Sequence, residues 1–497
     1  MKLDKESRKR IAGSVFVFFG CYLVMLFAIF LMIVVNDPHG WMSFFKSYYT
    51  GLVSLAASVF FLFGVVYFYY FFEDRAFLAK YRNIALVYSL FTLCAVLCFV
   101  FGRFMNVYAR PYALFAMLCL ILFSRRQAII LNFIFVFLMF SIDLFSNNFL
   151  EMTVDSELYT TLILGFISGT LAVFIAAKVK TRGGLLLAGV ALSLPTIFVV
   201  LLFQIPDAEY TWLDYVTAAG FRIFGCLISA VLTLALLPVF EKAFNRLTVF
   251  RLRELTSTTS PLLNRLKQEA PGTFNHSMIV AQLAETCAVA IGENAELARA
   301  VAYYHDVGKL KQPDCFTENQ TDYNVHDELT PELSADIIRS HTKDGYEIIT
   351  HYHLPQIFAD VTREHHGTLP IKYFYDKANR LSGGDSDIKD YSYLGPTPST
   401  KIAAIIMIAD ASEAAVRAGG DRSPGHVEQI VRSIIEERMD LDQFAHCDIT
   451  QKELTTIKLA LVDALSGVHH HRVKYPAIRF TRDKKAVEDR SNDRDDY

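Results

Sequence analysis

Seven residues able to bind a borderline metal stand in five short strings of this chain. They are His276 in FNHSM, His305 and Asp306 in YYHDVGKL, His341 in IIRSHTKDG, His365 and His366 in REHHGT, and Asp410 in MIADAS. Imidazole with carboxylate, and no thiolate among them, suits iron, manganese or zinc. A carboxylate has two oxygens, so one aspartate can bridge two ions. A single helical histidine is commonly a hydrogen-bonded structural residue, but the arrangement here is more demanding. His305 and Asp306 fall between an apolar helix face and Gly308, and two neighbouring histidines are followed by Gly367. Asp410 interrupts the apolar run IAAIIMIAD, where a buried carboxylate is costly unless it meets a cation.

Such ligands need elements that converge, and from Ala270 onward the chain reads as amphipathic helices of period 3.6. Met278, Ile279, Leu283, Cys287 and Ile291 form one stripe; Leu297, Val301 and Tyr304 form another. No stretch alternates well enough for a strand, so the region is expected to be all-α, with ligands gathered from facing helices as in di-iron bundles. Gly383 and Gly384, through to Pro396 and Pro398, predict a loop between two helices.

The first half of the chain belongs to another solvent. The chain has 497 residues, 53% of them hydrophobic, with positive mean hydropathy, yet its charges and histidines crowd into the part after about residue 240. That excludes one soluble domain and also excludes a protein that is all membrane. Eight apolar runs are candidate spans: 11–35, 48–72, 83–103, 109–124, 127–145, 157–177, 184–205 and 217–240, the fourth short. The first is too long for a signal peptide's apolar core and has no small-residue cleavage site after it. Lys2, Lys5, Arg8, Lys9 and Arg10, then Arg75, Lys80 and Arg82, then Arg125 and Arg126, then Lys178, Lys180 and Arg182 alternate onto one side. The positive-inside rule with an even number of spans then puts both termini in the cytoplasm, at a bacterial inner membrane. Arg222, near the start of the last run, is expected to snorkel to the outer interface. The net charge of -3 says little about partners, and eight cysteines without a CxxC pair predict free thiols in a reducing compartment.

The expected organisation is a polytopic helical membrane domain over 1–240, a juxtamembrane connector over 241–268, an all-helical cytosolic domain over 269–480 and a disordered charged tail over 481–497. The strings EAPGTFNHS, AYYHDVGKLKQP, FTENQ, SHTKDG, REHHGT, YLGPTPSTK and MIADASEAAVRA resemble the cytosolic domain of the seven-transmembrane HD family, the PgpH-type cyclic di-AMP phosphodiesterases. The resemblance covers nearly all of 260–476 and extends more loosely into the membrane half, with one extra span in front. It implies two divalent ions, manganese or iron, with Asp306 as their bridge. His276, His305 and Asp410 would complete one shell; His341, His365 and His366 would complete the other. The implied reaction is attack of an ionised water on a phosphodiester, giving linear pApA. Lys309, read as a turn beyond His305 on one helical face, would bind a phosphate oxygen or assist the leaving group.

The resemblance implies a cyclic dinucleotide and the lipid bilayer as partners, with no duplex nucleic acid and with a homodimer admitted. Two departures from the family stand out. Its large extracellular domain after the first span is replaced here by Asn36 to Lys46, and HHGT lacks the GYP extension of the cyclic di-GMP branch. Glu318, Asn319 and Gln320 fall where the family lines its substrate pocket. The tract His469, His470 and His471 reads as a polar turn, and His326, His351, His353, His426 and His446 carry no assignment. Two other readings stay open: an HD phosphohydrolase of another nucleotide such as guanosine tetraphosphate, and a membrane receptor that binds nucleotide without turnover.

Overall fold

The computed structural model describes residues 5–36, 41–147, 156–179, 181–204, 211–320 and 323–466. Among them it is helical without a strand, apart from one isolated bridge between Pro370 and Ser392. Two compact units divide the chain, Met1–Ser260 and Pro261–Tyr497. The histidine tract 469–471 and the charged tail 481–497 lie outside the described residues, as do positions 37–40 of the short loop after the first span.

The first unit contains α1 (Lys5–Asn36), α2 (Trp41–Glu73), α3 (Arg75–Leu78), α4 (Tyr81–Phe104), α5 (Tyr112–Leu122), α6 (Arg125–Asn147), α7 (Ser156–Ala176), α8 (Arg182–Gln204), α9 (Trp212–Phe244) and α10 (Val249–Leu255). Seven of these are long and apolar enough to cross a membrane, which makes this a multi-pass membrane protein. The fourth expected span, 109–124, is corrected. Asn106 and Pro111 flank a short 3-10 turn at Val107–Ala109, and α5 that follows has 11 residues. At 1.5 Å per residue it rises about 16 Å, half of a hydrocarbon core. It is buried along nearly its whole length and packs against α6, α7 and α9. Phe115 stacks on Phe135 of α6 at 4.3 Å and meets Phe91 of α4 edge-on at 4.6 Å.

Arg222 is a second correction, because its side chain is fully buried and does not snorkel. Its guanidinium donates to the Arg110 carbonyl (3.5 Å) and to Cys226 Sγ (3.1 Å). Arg110 itself, at the entry to α5, makes a two-pronged pair with buried Asp143 of α6, one prong at 2.9 Å.

The second unit contains α11 (Pro261–Glu269), α12 (Pro271–Ile291), α13 (Ala295–Ala302), α14 (Pro331–His351), α15 (Gln356–Glu364), α16 (Lys372–Ser382), α17 (Lys401–Gly419), α18 (Pro424–Asp440) and α19 (Gln451–Ser466). Local chemistry sets their ends. Pro271 opens α12, and Gly292 closes it in the left-handed region at φ +77°. Asn294, Thr330 and Thr400 accept the N3 amide hydrogen of α13, α14 and α17 through their side chains. The all-α reading therefore holds, with one adjustment in α12. The buried face runs through His276, Val280, Leu283, Ala284 and Cys287, whereas Ile279 is exposed.

Candidate metal centre

Five segments bring the ligand side chains together: α12 supplies His276, the turn after α13 supplies His305 and Asp306, α14 supplies His341, the turn after α15 supplies His365 and His366, and α17 supplies Asp410. Their ligand atoms form two groups, each within 4.8 Å. One is His276, His305 and Asp410; the other is Asp306, His341, His365 and His366. Asp306 faces both. Its Oδ2 lies 3.3 Å from His305 Nε2 and 3.8 Å from His276 Nε2, while its Oδ1 lies 3.4 Å from His341 Nε2 and 3.5 Å from His365 Nε2. All seven sequence-expected ligands are thus in one place.

The backbone makes this convergence possible by a close approach. After α13 the chain turns into a 3-10 segment, Val307–Lys311, that lies directly on α14. A Cβ on Gly308 would collide with the His341 carbonyl oxygen, and one on Gly345 would collide with the Thr362 methyl group. Two glycines therefore let the Asp306 turn, α14 and α15 stack without a gap. Gly367, at φ +53°, ends the His365–His366 turn in the left-handed region.

Hydrogen bonds fix the ring orientations. His305, His341 and His365 each donate Nδ1–H to the carbonyl three residues back, on Ala302, Ile338 and Thr362. A carbonyl can only accept, so in the neutral ring of each the Nε2 carries a lone pair aimed inward; without a cation, His305 instead holds a proton there against Asp306. The Nε2 atoms of His341 and His365 then stand 3.3 Å apart. Buried His305 Nε2 and Asp306 Oδ1 have no hydrogen-bond partner. Such atoms are costly as they stand and suit a cation between them. The donor set, imidazole and carboxylate, fits two divalent ions of the iron, manganese or zinc kind.

The electrostatics point the same way. Burial depresses His276 and His305, yet hydrogen bonds donated to Asp410 and Glu413 lift the first to about 9, and the Asp306 charge lifts the second to about 10. Burial wins at His341, down to about 4, and holds His366 well below its ordinary value. Asp306 and Asp410 remain ionised despite burial because cationic neighbours surround them. The pair of carboxylates is therefore charged and draws positive charge toward itself.

Lys309 departs from the helical-face expectation. In the 3-10 turn, residues three apart eclipse, and its Nζ donates to Asp306 Oδ2 at 2.8 Å and to Glu318 Oε1 at 2.7 Å. Glu318, left without a role in the sequence, also accepts from the Thr273 hydroxyl at 3.1 Å, and Asn319 Oδ1 accepts the Thr273 amide hydrogen. Two side chains beside the ligands went unread. Glu413, one turn after Asp410 on α17, bonds His276 Nδ1 at 2.6 Å. Tyr393, in the YLGP loop, stacks on His366 at 4.3 Å. The i, i+3 spacing from Asp410 is the signal that could have found Glu413. His326 hydrogen-bonds the Cys315 carbonyl at 2.8 Å and lies against Phe374 at the cavity edge. The centre opens into a cavity of about 530 Å³ lined also by Lys309, Phe316, Tyr373 and Tyr393.

Comparison with known proteins finds similar sequences over both units. Residues 273–415 match the HD domain, and residues 49–248 match the membrane region of the 7TM receptors with intracellular HD hydrolase. The chain is 41% identical over 314 residues to the cyclic-di-AMP phosphodiesterase PgpH of Listeria monocytogenes, covering 62% of this chain and 43% of that protein. It is 37% identical over 417 residues to the Bacillus subtilis protein of the same name, covering 82% of this chain and 58% of that one. The crystal structure of the L. monocytogenes PgpH HD domain in complex with cyclic-di-AMP is 47% identical, covers 44% of this chain and all of that chain, and gives a TM-score of 0.42. The chain thus spans roughly half the length of the curated relatives it matches.

Proposed function

Because the chain belongs to the family of 7TM receptors with intracellular HD hydrolase, we propose that it is a membrane-anchored, metal-dependent phosphodiesterase that hydrolyses cyclic di-AMP to linear pApA. The single observation that carries the metal dependence is the pair of facing lone pairs on His341 and His365 beside an Asp306 that addresses both ligand groups. The substrate follows from the activity for which the Listeria and Bacillus relatives are named. We assign residues 1–240 to the anchor, 241–268 to the connector and 269–480 to the catalytic domain, in the inner membrane with the catalytic domain on the cytoplasmic side; seven spans in place of eight remove the even count on which a cytoplasmic N-terminus rested.

His276, His305 and Asp410 would hold one ion and His341, His365 and His366 the other, with Asp306 shared between them. Two divalent ions, manganese or iron, would supply Lewis acidity and an ionised water near neutral pH, where bulk water has a pKa of about 15.7. The chain's own residues do the rest. Asp306 stays deprotonated under the pull of Lys309 and His305, so it offers both oxygens at once. Lys309, held by Glu318, keeps its proton and keeps a positive charge at the cavity floor, where a phosphate oxygen would gain charge during ester cleavage. His276 is kept in place by Glu413 at its far nitrogen. Tyr393 covers the outer side of His366 and excludes water from that flank.

Purified full-length protein in detergent, loaded with manganese or iron and offered a nucleotide panel, tests the proposal by product mass. Appearance of pApA from cyclic di-AMP at low substrate supports it. Preferential hydrolysis of guanosine tetraphosphate, or tight binding of cyclic di-AMP with no product, would replace it with one of the two other readings.

A further inference from the structure

The cavity over the metal centre has one wall that the ligand set does not explain. Along α17 the residues lining the cavity are Met407, Asp410, Ala411, Ala414 and Arg417, a helical stripe that passes through Asp410 and ends at a guanidinium. Ala411 and Ala414 keep this stripe low, leaving open space between Asp410 and Arg417. Seven residues of helix rise about 10 Å, but helical side chains lean toward the N-terminus. Arg417 accordingly leans back, its Nη1 3.6 Å from Glu413 Oε1.

From α18, Arg438 enters the same wall. Its side chain is only 12% exposed, its Nη1 bonds Glu437 at 2.7 Å, and its buried Nε has no partner. A guanidinium that is largely desolvated and incompletely bonded is costly unless an anion completes it. The carboxylates that line the cavity are engaged elsewhere: Asp410 is bonded by His276, and Glu318 by Lys309 and Thr273. The remaining lining includes Phe316, Leu369, Tyr373, Phe374 and Tyr393, surfaces on which flat bases can lie.

Resting on the reading of the centre as a cyclic dinucleotide phosphodiesterase, we infer that Arg417 and Arg438 form a second phosphate subsite, which holds the unreacted phosphate of a two-phosphate ring while the other phosphate meets the metal centre. The division of labour follows from geometry. The cavity is lined by the metal ligands and Lys309, by aromatic rings, and by two guanidiniums, one from α17 and one from α18. Arg offers a planar fork of donors that matches two phosphate oxygens. A substrate with one phosphate can use the floor alone, so this subsite acts on affinity and choice of substrate and leaves bond cleavage to the centre.

The test uses the full-length protein in detergent, loaded with manganese, as parent, Arg417→Gln and Arg438→Gln. Each variant is compared with the parent in metal content and thermal melting. Hydrolysis of cyclic di-AMP is set against hydrolysis of bis(p-nitrophenyl) phosphate, a diester with a single phosphate. Each substitution is expected to raise KM for cyclic di-AMP by about tenfold or more, the range for a lost charge-assisted hydrogen bond. The rate on the one-phosphate diester should stay within about twofold, with metal content unchanged. Equal losses on both substrates, or no loss on either, would overturn the subsite. Equilibrium binding of cyclic di-AMP separates this from failure of the functional reading. A parent that binds but does not hydrolyse sinks the phosphodiesterase while the subsite survives if both variants bind about tenfold more weakly. A parent that neither binds nor hydrolyses it sinks both.

Discussion

Both units of this chain bury ionisable groups, but they surround them differently. In the membrane unit, Arg110 and Asp143 pair through two hydrogen bonds, and Arg222 rests on a backbone carbonyl and a thiol, with the Nε of each arginine left without a partner. In the second unit, His305 Nε2 and Asp306 Oδ1 are buried without partners, and two imidazole lone pairs face each other at 3.3 Å. Burial alone therefore says little about function. A charge that meets an opposite charge of its own chain serves the packing, whereas imidazole nitrogens crowded around one shared carboxylate suit a cation.

The contrast would break first at Asp306. Asp306→Ala should abolish turnover and reduce bound metal from two ions per chain toward none, measured by elemental analysis beside a rate assay. Metal content equal to that of the parent would remove the shared-ligand role. In the membrane unit the expected response has another pattern. Arg110→Met or Asp143→Leu alone should cost about 3–5 kcal/mol, because each strands a buried charge, while the double substitution should recover most of the loss. Thermal melting in detergent reads this, and additive losses would show that the pair does not act as a unit.

A smaller effect sharpens the role of the backbone. Gly308→Ala forces a methyl group against the His341 carbonyl and should destabilise the second unit by about 1–3 kcal/mol, with weaker metal retention. A variant that melts and binds metal like the parent would show that the Asp306 turn has room to spare. The smallest effect belongs to Lys309. Lys309→Ala should lower the rate by about tenfold to a hundredfold while leaving both ions bound, since it touches Asp306 Oδ2 without being a ligand. Loss of metal in that variant would instead make it a structural counter-charge.

The convergence of the seven residues was legible because a metal site would confine residue type and local context together. Asp410 in an apolar helix and the His365–His366 pair before a left-handed glycine have few other uses. Helices were legible from periodicity, although in α12 the stripe was misplaced. Ile279 follows the apolar period yet faces outward, since His276 and Ser277 claim the inner face. Lys309 was misplaced because nothing in YYHDVGKL announces that α13 stops at Ala302 and tightens to a 3-10 turn. Arg222 and the half-length α5 were misread for a shared reason. Hydropathy reports how apolar a run is, whereas the closing of Arg110 onto Asp143 and the burial of Arg222 depend on partners distant along the chain.

The two ligand groups also differ in how far apart their members lie along the chain. Asp306, His341, His365 and His366 fall within one continuous stretch through α14 and α15, whereas His276 meets its Asp410 partner across 134 positions. During synthesis, the four-residue group can close as soon as α15 has emerged, while the three-residue group waits for α17. Loading of the centre should therefore be stepwise in a nascent chain, and an early-arriving ion would act as a nucleus on which the remaining helices dock.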